Sequence, residues 1–449
     1  MKKIEKRAIM CLMLGVLLLG GICYFVYQDF NKGGDWAVYE GNRDVFAAGD
    51  LAKGAVFDRD GALLMRNTSE GMVFNDDSSV RKALMHITGD KDNNISTGTN
   101  RVFMKKLIGY DFVNGVYTLN NEGQDITLTL DADVCATAYN AMAGRKGTVG
   151  VYNYKTGEII CMVSTPTYDP ANPPSQVEEG SYINRFTSAT FVPGSTFKLV
   201  TAAASLENLD DALTYTVNCT GTQDYGHGDK VTDLSAHGTV DLEEALEVSC
   251  NIYFGNLAEK LGKGLIEKYV GKAGLDKSYD IDGIQTKAGT FDYTSNAVQL
   301  AWTGIGQHQD MINPCAMMIY MGGIAGDGTA VVPTIVRPDN IVDEQISKVT
   351  SKITTEKMLE SSTAQTLKSM MANNVEQHYG GESGFPGLKL CAKTGTAEVG
   401  GNKQPNSWFV GFLDDEVNPY AFVVLVENGG YGIDAAGSVA NKVLQDLVN

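Results

Sequence analysis

The chain is short of the residue patterns that announce most catalytic and metal-binding proteins. It has no His-Glu-x-x-His, no Gly-x-Ser-x-Gly, no Gly-x-x-x-x-Gly-Lys-Ser/Thr and no Cys-x-x-Cys. Zincin, nucleophile-elbow, P-loop and zinc-ribbon chemistry are therefore not signalled. Only five histidines occur, at 86, 227, 237, 308 and 378, and nothing local pairs one with a serine and a carboxylate. Basic residues are outnumbered, 36 against 54 acidic. That balance argues against nucleic acid as a main partner, because phosphate binding needs a basic face. There are no internal repeats and no long low-complexity tract. Eight cysteines are scattered without metal-ligand spacing, so neither a metal nor a disulfide framework is expected.

The charge that is present is unevenly placed. Lys2, Lys3, Lys6 and Arg7 outweigh Glu5, so the first seven residues carry +3, leaving −21 for the rest of a chain whose total is −18. Ala8 to Gln28 then runs without a charged side chain. At 1.5 Å per residue this spans about 30 Å, the thickness of a bilayer core. The basic flank predicts a cytoplasmic N-terminus with everything after Asp29 outside. A cleaved export signal is the alternative reading. The run ends in Cys23-Tyr24-Phe25-Val26-Tyr27, which suits a membrane interface better than a small-residue cleavage site. Cys11 and Cys23 lie in this span. The six others (135, 161, 219, 250, 315, 391), if unpaired, suit a reducing or anaerobic setting.

At 449 residues, an anchor plus two domains is expected. Residues 29–123 are polar and turn-rich, which predicts a small membrane-proximal domain of short strands. The texture changes at Gln124. Ile126, Leu128 and Leu130 alternate with threonines, and Ala132 to Met142 suits a helix. Thr148–Tyr152 and Ile159–Val163 read as a hairpin around Asn153–Gly157, apolar enough to be covered on both faces. Asp241–Lys260 is helical with an interruption near Ser249. Leu388–Ala397, Ser407–Leu413 and Tyr420–Glu427 predict an antiparallel meander, followed by a helix over Ala435–Leu447. The large domain is thus expected to be α+β, with hairpin and meander in one sheet.

Three short motifs carry the chemistry. Pro193-Gly194-Ser195-Thr196-Phe197-Lys198 precedes a strong helix former, which places Ser195 in a first turn with Lys198 on the same face. A lysine whose pKa is lowered by burial or positive charge can take a serine proton. Alone, Ser-x-x-Lys is weak, since about two are expected by chance in a chain this long. Ser249-Cys250-Asn251 falls at the helical break, where capping residues are the plain reading. Lys393-Thr394-Gly395-Thr396 lies in the first meander strand. Gly395 is costly mid-strand unless something approaches closely, and a carboxylate-bearing substrate laid along the strand is the expected visitor. A second Lys-Thr-Gly, at 155–157, sits in the hairpin turn and is assigned no chemistry.

In this order the three motifs resemble those of penicillin-binding proteins and serine β-lactamases. With the anchor, the chain resembles class B penicillin-binding proteins over about residues 124–449. Similar to that family are also Thr165–Pro170, Asn184-Arg185, His237-Gly238, Gly304–Gln307, Trp408–Gly411 and, upstream, Lys53–Gly61, with Lys53 where arginine is usual. The resemblance implies the penicillin-binding transpeptidase fold: an antiparallel sheet packed with helices plus a helical subdomain. It also implies a serine-type D,D-transpeptidase that cross-links peptidoglycan stem peptides and is acylated by β-lactams. Ser195 is then the nucleophile and Lys198 the base, while Ser249 relays a proton and Asn251 orients the substrate. Lys393, Thr394, Gly395 and Thr396 receive the terminal carboxylate. The N–H groups of Ser195 and Thr396 form the oxyanion hole. No metal or cofactor is implied, and a membrane glycosyltransferase is the implied partner. A membrane-anchored class D-like β-lactamase or β-lactam sensor, or a D,D-carboxypeptidase, would share most of these residues.

Overall fold

The computed structural model describes residues 2–37, 54–68, 70–108, 123–293, 296–338, 353–401 and 403–449. Residues 38–53, which include Lys53, and residues 69 and 109–122 of the polar stretch lie outside them. Helix α1 (Lys2–Ala37) opens the chain, and Lys3–Gln28 is long and apolar enough to cross a membrane by length and composition. A small sheet follows: β1 (Ala55–Phe57), β2 (Leu63–Thr68), β3 (Gly71–Phe74), helix α2 (Ser78–Thr88) and then β4 (Ile126–Thr127), in the order β3-β2-β1-β4. β4 pairs in parallel with β1, and α2 packs on helix α3 (Ala132–Met142) of the large part, so the small and large parts share one continuous core. Arg81 of α2 clamps the junction, with Nε and Nη2 on one guanidinium edge each donating to an Asp169 carboxylate oxygen at 2.7 Å. Asp131, at the expected helix start, caps α3 by accepting from Asp133 and Val134 N–H.

The predicted hairpin is β5 (Gly147–Asn153) and β6 (Ile159–Thr165). Helix α4 (Lys198–Asn208) begins the long middle. There follow β7 (Val217–Cys219), β8 (Thr222–Gly226), β9 (Asp229–Thr232), β10 (Gly238–Val240), α5 (Leu242–Glu247), α6 (Asn251–Leu261), α7 (Lys263–Ala273), α8 (Ala297–Ile305), α9 (Pro314–Ala325) and α10 (Ser361–His378). The meander is β11 (Leu390–Ala397), β12 (Asn406–Leu413) and β13 (Tyr420–Val426), and α11 (Ser438–Val448) closes the chain.

Hairpin and meander do share a sheet, in the order β11-β12-β13-β5-β6, because β13 pairs antiparallel with β5 from Tyr420↔Asn153 to Val426↔Gly147. Helices cover both faces. On β5, Gly147 lies against Met142 of α3, whereas Tyr152, of opposite parity, lies against Gly322 of α9. A strand covered on both sides has no reason to alternate, which is why β5, β6 and β12 are apolar and buried almost throughout. β11 forms the sheet's edge, and the turn leading into α4 packs beside it.

Candidate active site

The chain meets the first motif in a 3-10 turn, Gly194–Phe197, which runs directly into α4. Gly194 has φ +57°. A side chain there would stand 2.8 Å from the Thr396 carbonyl oxygen of β11, so the turn sits closer to the strand than any Cβ permits. Gly306, after α8, presses on the same turn, since its Cβ position would fall 2.1 Å from the Gly194 oxygen. Gly194 N–H donates to the Gly306 carbonyl at 2.8 Å, and Gln307 Nε2 to the Thr396 carbonyl at 3.1 Å. Gly395 has the same origin. A Cβ there would lie 2.8 Å from the Pro193 oxygen and 2.9 Å from Thr196 Cγ2. The close visitor expected at Gly395 is therefore the protein's own serine-bearing turn, not substrate.

Lys198, one turn on, points back to Ser195. Its Nζ lies within hydrogen-bonding distance of Ser195 Oγ at 3.0 Å, Ser249 O at 2.5 Å, Ser249 Oγ at 3.1 Å and Asn251 Oδ1 at 2.8 Å. Ser249 lies between α5 and α6 with φ +57°, a left-handed conformation that costs a non-glycine residue about 1–3 kcal/mol. There, its carbonyl and hydroxyl both reach the same amine. The cap of α6 is Cys250, whose Sγ accepts from Tyr253 N–H, so Ser249 and Asn251 are not capping residues. Asn251 is held on both sides: Nδ2 donates to Thr232 O at 2.8 Å and its N–H to Asp233 Oδ2 at 2.8 Å.

Burial, with the charge of Lys393 added, pushes Lys198 down to about 7, against opposing pulls from Asp233 and Cys250. Burial also brings Lys393 down to about 7. Lys393 is fully buried behind the wall, while Thr394 and Thr396 line a cavity of about 1000 Å³ together with Ser195, Ser249, Asn251 and Gln307. Tyr379, which no motif announces, fixes Thr394: its oxygen accepts from Thr394 N–H at 3.2 Å and lies 3.1 Å from Thr394 Oγ1. Gln307 and Tyr379 are the positioning residues that sequence reasoning leaves without a role. Gln307 has a signal, the Gly304-Ile305-Gly306-Gln307 run, and Tyr379 has none. The decoy Lys155–Gly157 occupies the β5–β6 turn, far along the chain from the site, with Lys155 paired to Glu416.

A buried amine of lowered pKa wedged between two serine hydroxyls that line a cavity beside a sheet edge defines a serine acyl-transfer enzyme with a lysine base. Comparison with known proteins agrees. Residues 147–448 match the penicillin binding protein transpeptidase domain. The chain belongs to this family, in its class B branch. The peptidoglycan D,D-transpeptidase PbpA of Mycolicibacterium smegmatis is 28% identical over 379 residues, 77% of this chain and 75% of the relative. Stage V sporulation protein D of Bacillus subtilis is 27% identical over 74% of this chain and 54% of its own length. The fold is that of penicillin-binding protein A from M. tuberculosis, solved as a ceftriaxone acyl-enzyme complex, with a TM-score of 0.76 at 22% identity over 89% of this chain and 99% of that one.

Proposed function

We propose that the protein is a peptidoglycan D,D-transpeptidase working through a Ser195 acyl-enzyme. The observation that carries the reading is the single amine of Lys198 within hydrogen-bonding distance of Ser195 Oγ, Ser249 Oγ and Asn251 Oδ1. As free base it has a lone pair for the Ser195 proton. Ser195 Oγ attacks the carbonyl between the two terminal D-alanines of a stem peptide. The N–H groups of Ser195 and Thr396 hold the oxyanion, at about 3 kcal/mol for each donor. The proton passes from Lys198 through Ser249 to the leaving nitrogen, and D-alanine departs. An amine from a second stem peptide then attacks the ester, restoring Ser195 and forming the cross-link. Asn251 orients the substrate amide. Thr394 and Thr396 receive the terminal carboxylate, with Gly395 keeping the strand close to the serine turn and Lys393 supplying positive charge from behind it. β-Lactams enter as substrate mimics whose ester is not resolved.

We read residues 1–7 as cytoplasmic, 8–28 as the anchor, 29–123 as a membrane-proximal unit and 124–449 as the extracytoplasmic catalytic domain. A membrane glycosyltransferase that makes the glycan strand is the fitting partner. The test is a labelling time course with penicillin on the full chain in detergent. A stable adduct on Ser195, absent from a folded Ser195→Ala variant, is expected. A label mapped elsewhere sinks the assignment, and rapid loss of the label points to a β-lactamase.

A further inference from the structure

Scattered in sequence, Cys219, Asp233, His237 and Cys250 meet in space, one ligand atom from each lying within 4.8 Å of every other. Cys219 ends β7, Asp233 follows β9, His237 precedes β10 and Cys250 caps α6. Cys219 Sγ is 3.6 Å from His237 Nδ1 and 3.6 Å from Asp233 Oδ2, and those two are 3.4 Å apart. Around a tetrahedral zinc, with Zn–S about 2.3 Å and Zn–N or Zn–O about 2.0–2.1 Å, the sulfur-to-nitrogen and sulfur-to-oxygen edges come to about 3.5 Å and the nitrogen-to-oxygen edge to about 3.3 Å. The three edges among Cys219, Asp233 and His237 match that tetrahedron, and Cys250 Sγ lies within 4.8 Å of each of the three. His237 Nε2 lies 3.1 Å from Ser235 Oγ. Donation there leaves the Nδ1 lone pair facing the cluster, the arrangement that orients a metal-bound imidazole. Two thiols and an imidazole favour zinc over calcium or magnesium, and four protein ligands close the site in the manner of a structural one.

We propose that Cys219, Asp233, His237 and Cys250 bind a structural zinc ion that ties the β7–β10 segment to the Ser249–Asn251 turn. The location gives the ion a task. Cys250 is the middle residue of that turn, and Asp233 already accepts from the Asn251 N–H at 2.8 Å. Thr232 to Ser235 and His237 form one wall of the cavity, with Ser249 and Asn251 beside them. Without a cation the wall is joined to the turn by hydrogen bonds and buried thiols. With zinc, three strand-flanking residues and the turn become one rigid unit. These four residues would position Ser249 and Asn251 without touching the substrate.

The test uses the full chain in detergent, dialysed against zinc and then against zinc-free buffer. Metal analysis is expected to give one zinc per chain. Cobalt loading of the unaltered chain should give the intense visible bands and thiolate charge transfer of a tetrahedral site, a readout that depends on no variant. Cys219→Ser and His237→Ala should lose the metal, melt at lower temperature and label with penicillin about tenfold more slowly. Cys315→Ser, remote from the cluster, should retain it. The part concerning labelling rests on the transpeptidase reading, but zinc content does not: Ser195→Ala should lose the label and keep the ion. Substoichiometric zinc after loading, an octahedral cobalt spectrum, full zinc retention by Cys219→Ser, or a Cys219–Cys250 disulfide in zinc-free protein would each overturn the proposal.

Discussion

Acylation should follow the free-base fraction of Lys198, and pH is the perturbation that reads it. An ordinary lysine at 10.5 is neutral in about one chain in 3000 at pH 7, because each unit is tenfold. Lys198, held at about 7 by burial and by Lys393, is neutral in about half the chains at that pH. At pH 5 the neutral fraction falls about fiftyfold. The second-order rate of labelling by a fluorescent penicillin should therefore climb tenfold per unit below about pH 6 and flatten above 7. Lys393 adds the opposite limb. It must stay cationic to attract a carboxylate, and it too loses its proton at about 7. The rate should then fall in alkali, and Lys393→Arg, whose charge persists, should abolish that fall and leave the acid limb in place. Folding runs with a definite sign over the same range. Both lysines have folded pKa values below their unfolded ones, so between about pH 7 and 10.5 the unfolded chain binds more protons and stability rises with pH. Weak labelling at pH 5 therefore has to be read beside a melting curve at the same pH. A flat profile from pH 5 to 9 with the fold intact, or an acid limb centred near 10, would refute the reasoning.

Gly395→Ala should cost about 1–3 kcal/mol in denaturant melts, because the Pro193 oxygen 2.8 Å from the new Cβ belongs to the backbone and cannot rotate away. Labelling should slow as well, because the segment forced aside carries Ser195; unchanged stability with unchanged labelling refutes the packing account. Tyr379→Phe leaves the Thr394 N–H without its acceptor, at a cost of about 1–3 kcal/mol, and should weaken saturation by β-lactam more than it slows the acylation step. Lys155→Ala removes an exposed ion pair with Glu416. It should stay within about 0.5 kcal/mol of the parent and label at the same rate, and a lost label would return the second Lys-Thr-Gly to the active site.

Elements with strong local signals were readable from the sequence alone. Periodicity located α3, the β5–β6 hairpin and the meander, because each buries a face whose pattern is written within a dozen residues. The break at Ser249 was readable because Val248-Ser249-Cys250 interrupts two apolar stripes. What the sequence could not display were contacts made at long range. Gly395 looked like a space for a ligand, since nothing nearby in the chain says that Pro193 and Thr196 fill it. Tyr379 is one tyrosine among twenty until α10 lays it under Thr394. The meeting of Cys219, Asp233, His237 and Cys250 was hidden for the same reason. Metal-ligand spacing is a rule for ligands supplied by one short loop, whereas these four residues come from three strand ends and a helix cap.

The interlocking of the motifs explains why each is weak alone and strong together. Ser-x-x-Lys arises by chance, and it gains meaning only when the lysine is stripped of solvent and given a second serine. Both conditions are tertiary. α4 buries Lys198, and the strained turn at Ser249 brings a hydroxyl, a carbonyl and the Asn251 amide to one nitrogen. The nucleophile's position is then set by backbone against backbone. Gly194, Gly306 and Gly395 each lack a Cβ where one would collide, so the serine turn is seated against β11 to within the thickness of a side chain. That seating brings the Ser195 turn beside Thr396, the residue proposed as the other oxyanion donor. It also keeps Lys393 close enough for its charge to depress Lys198. A glycine substitution should therefore disturb the oxyanion hole and the base together, and the acid limb of the labelling profile in Gly395→Ala should shift along with its rate. Were the limb to stay fixed while the rate fell, the two lysines would be coupled through burial alone and not through this contact.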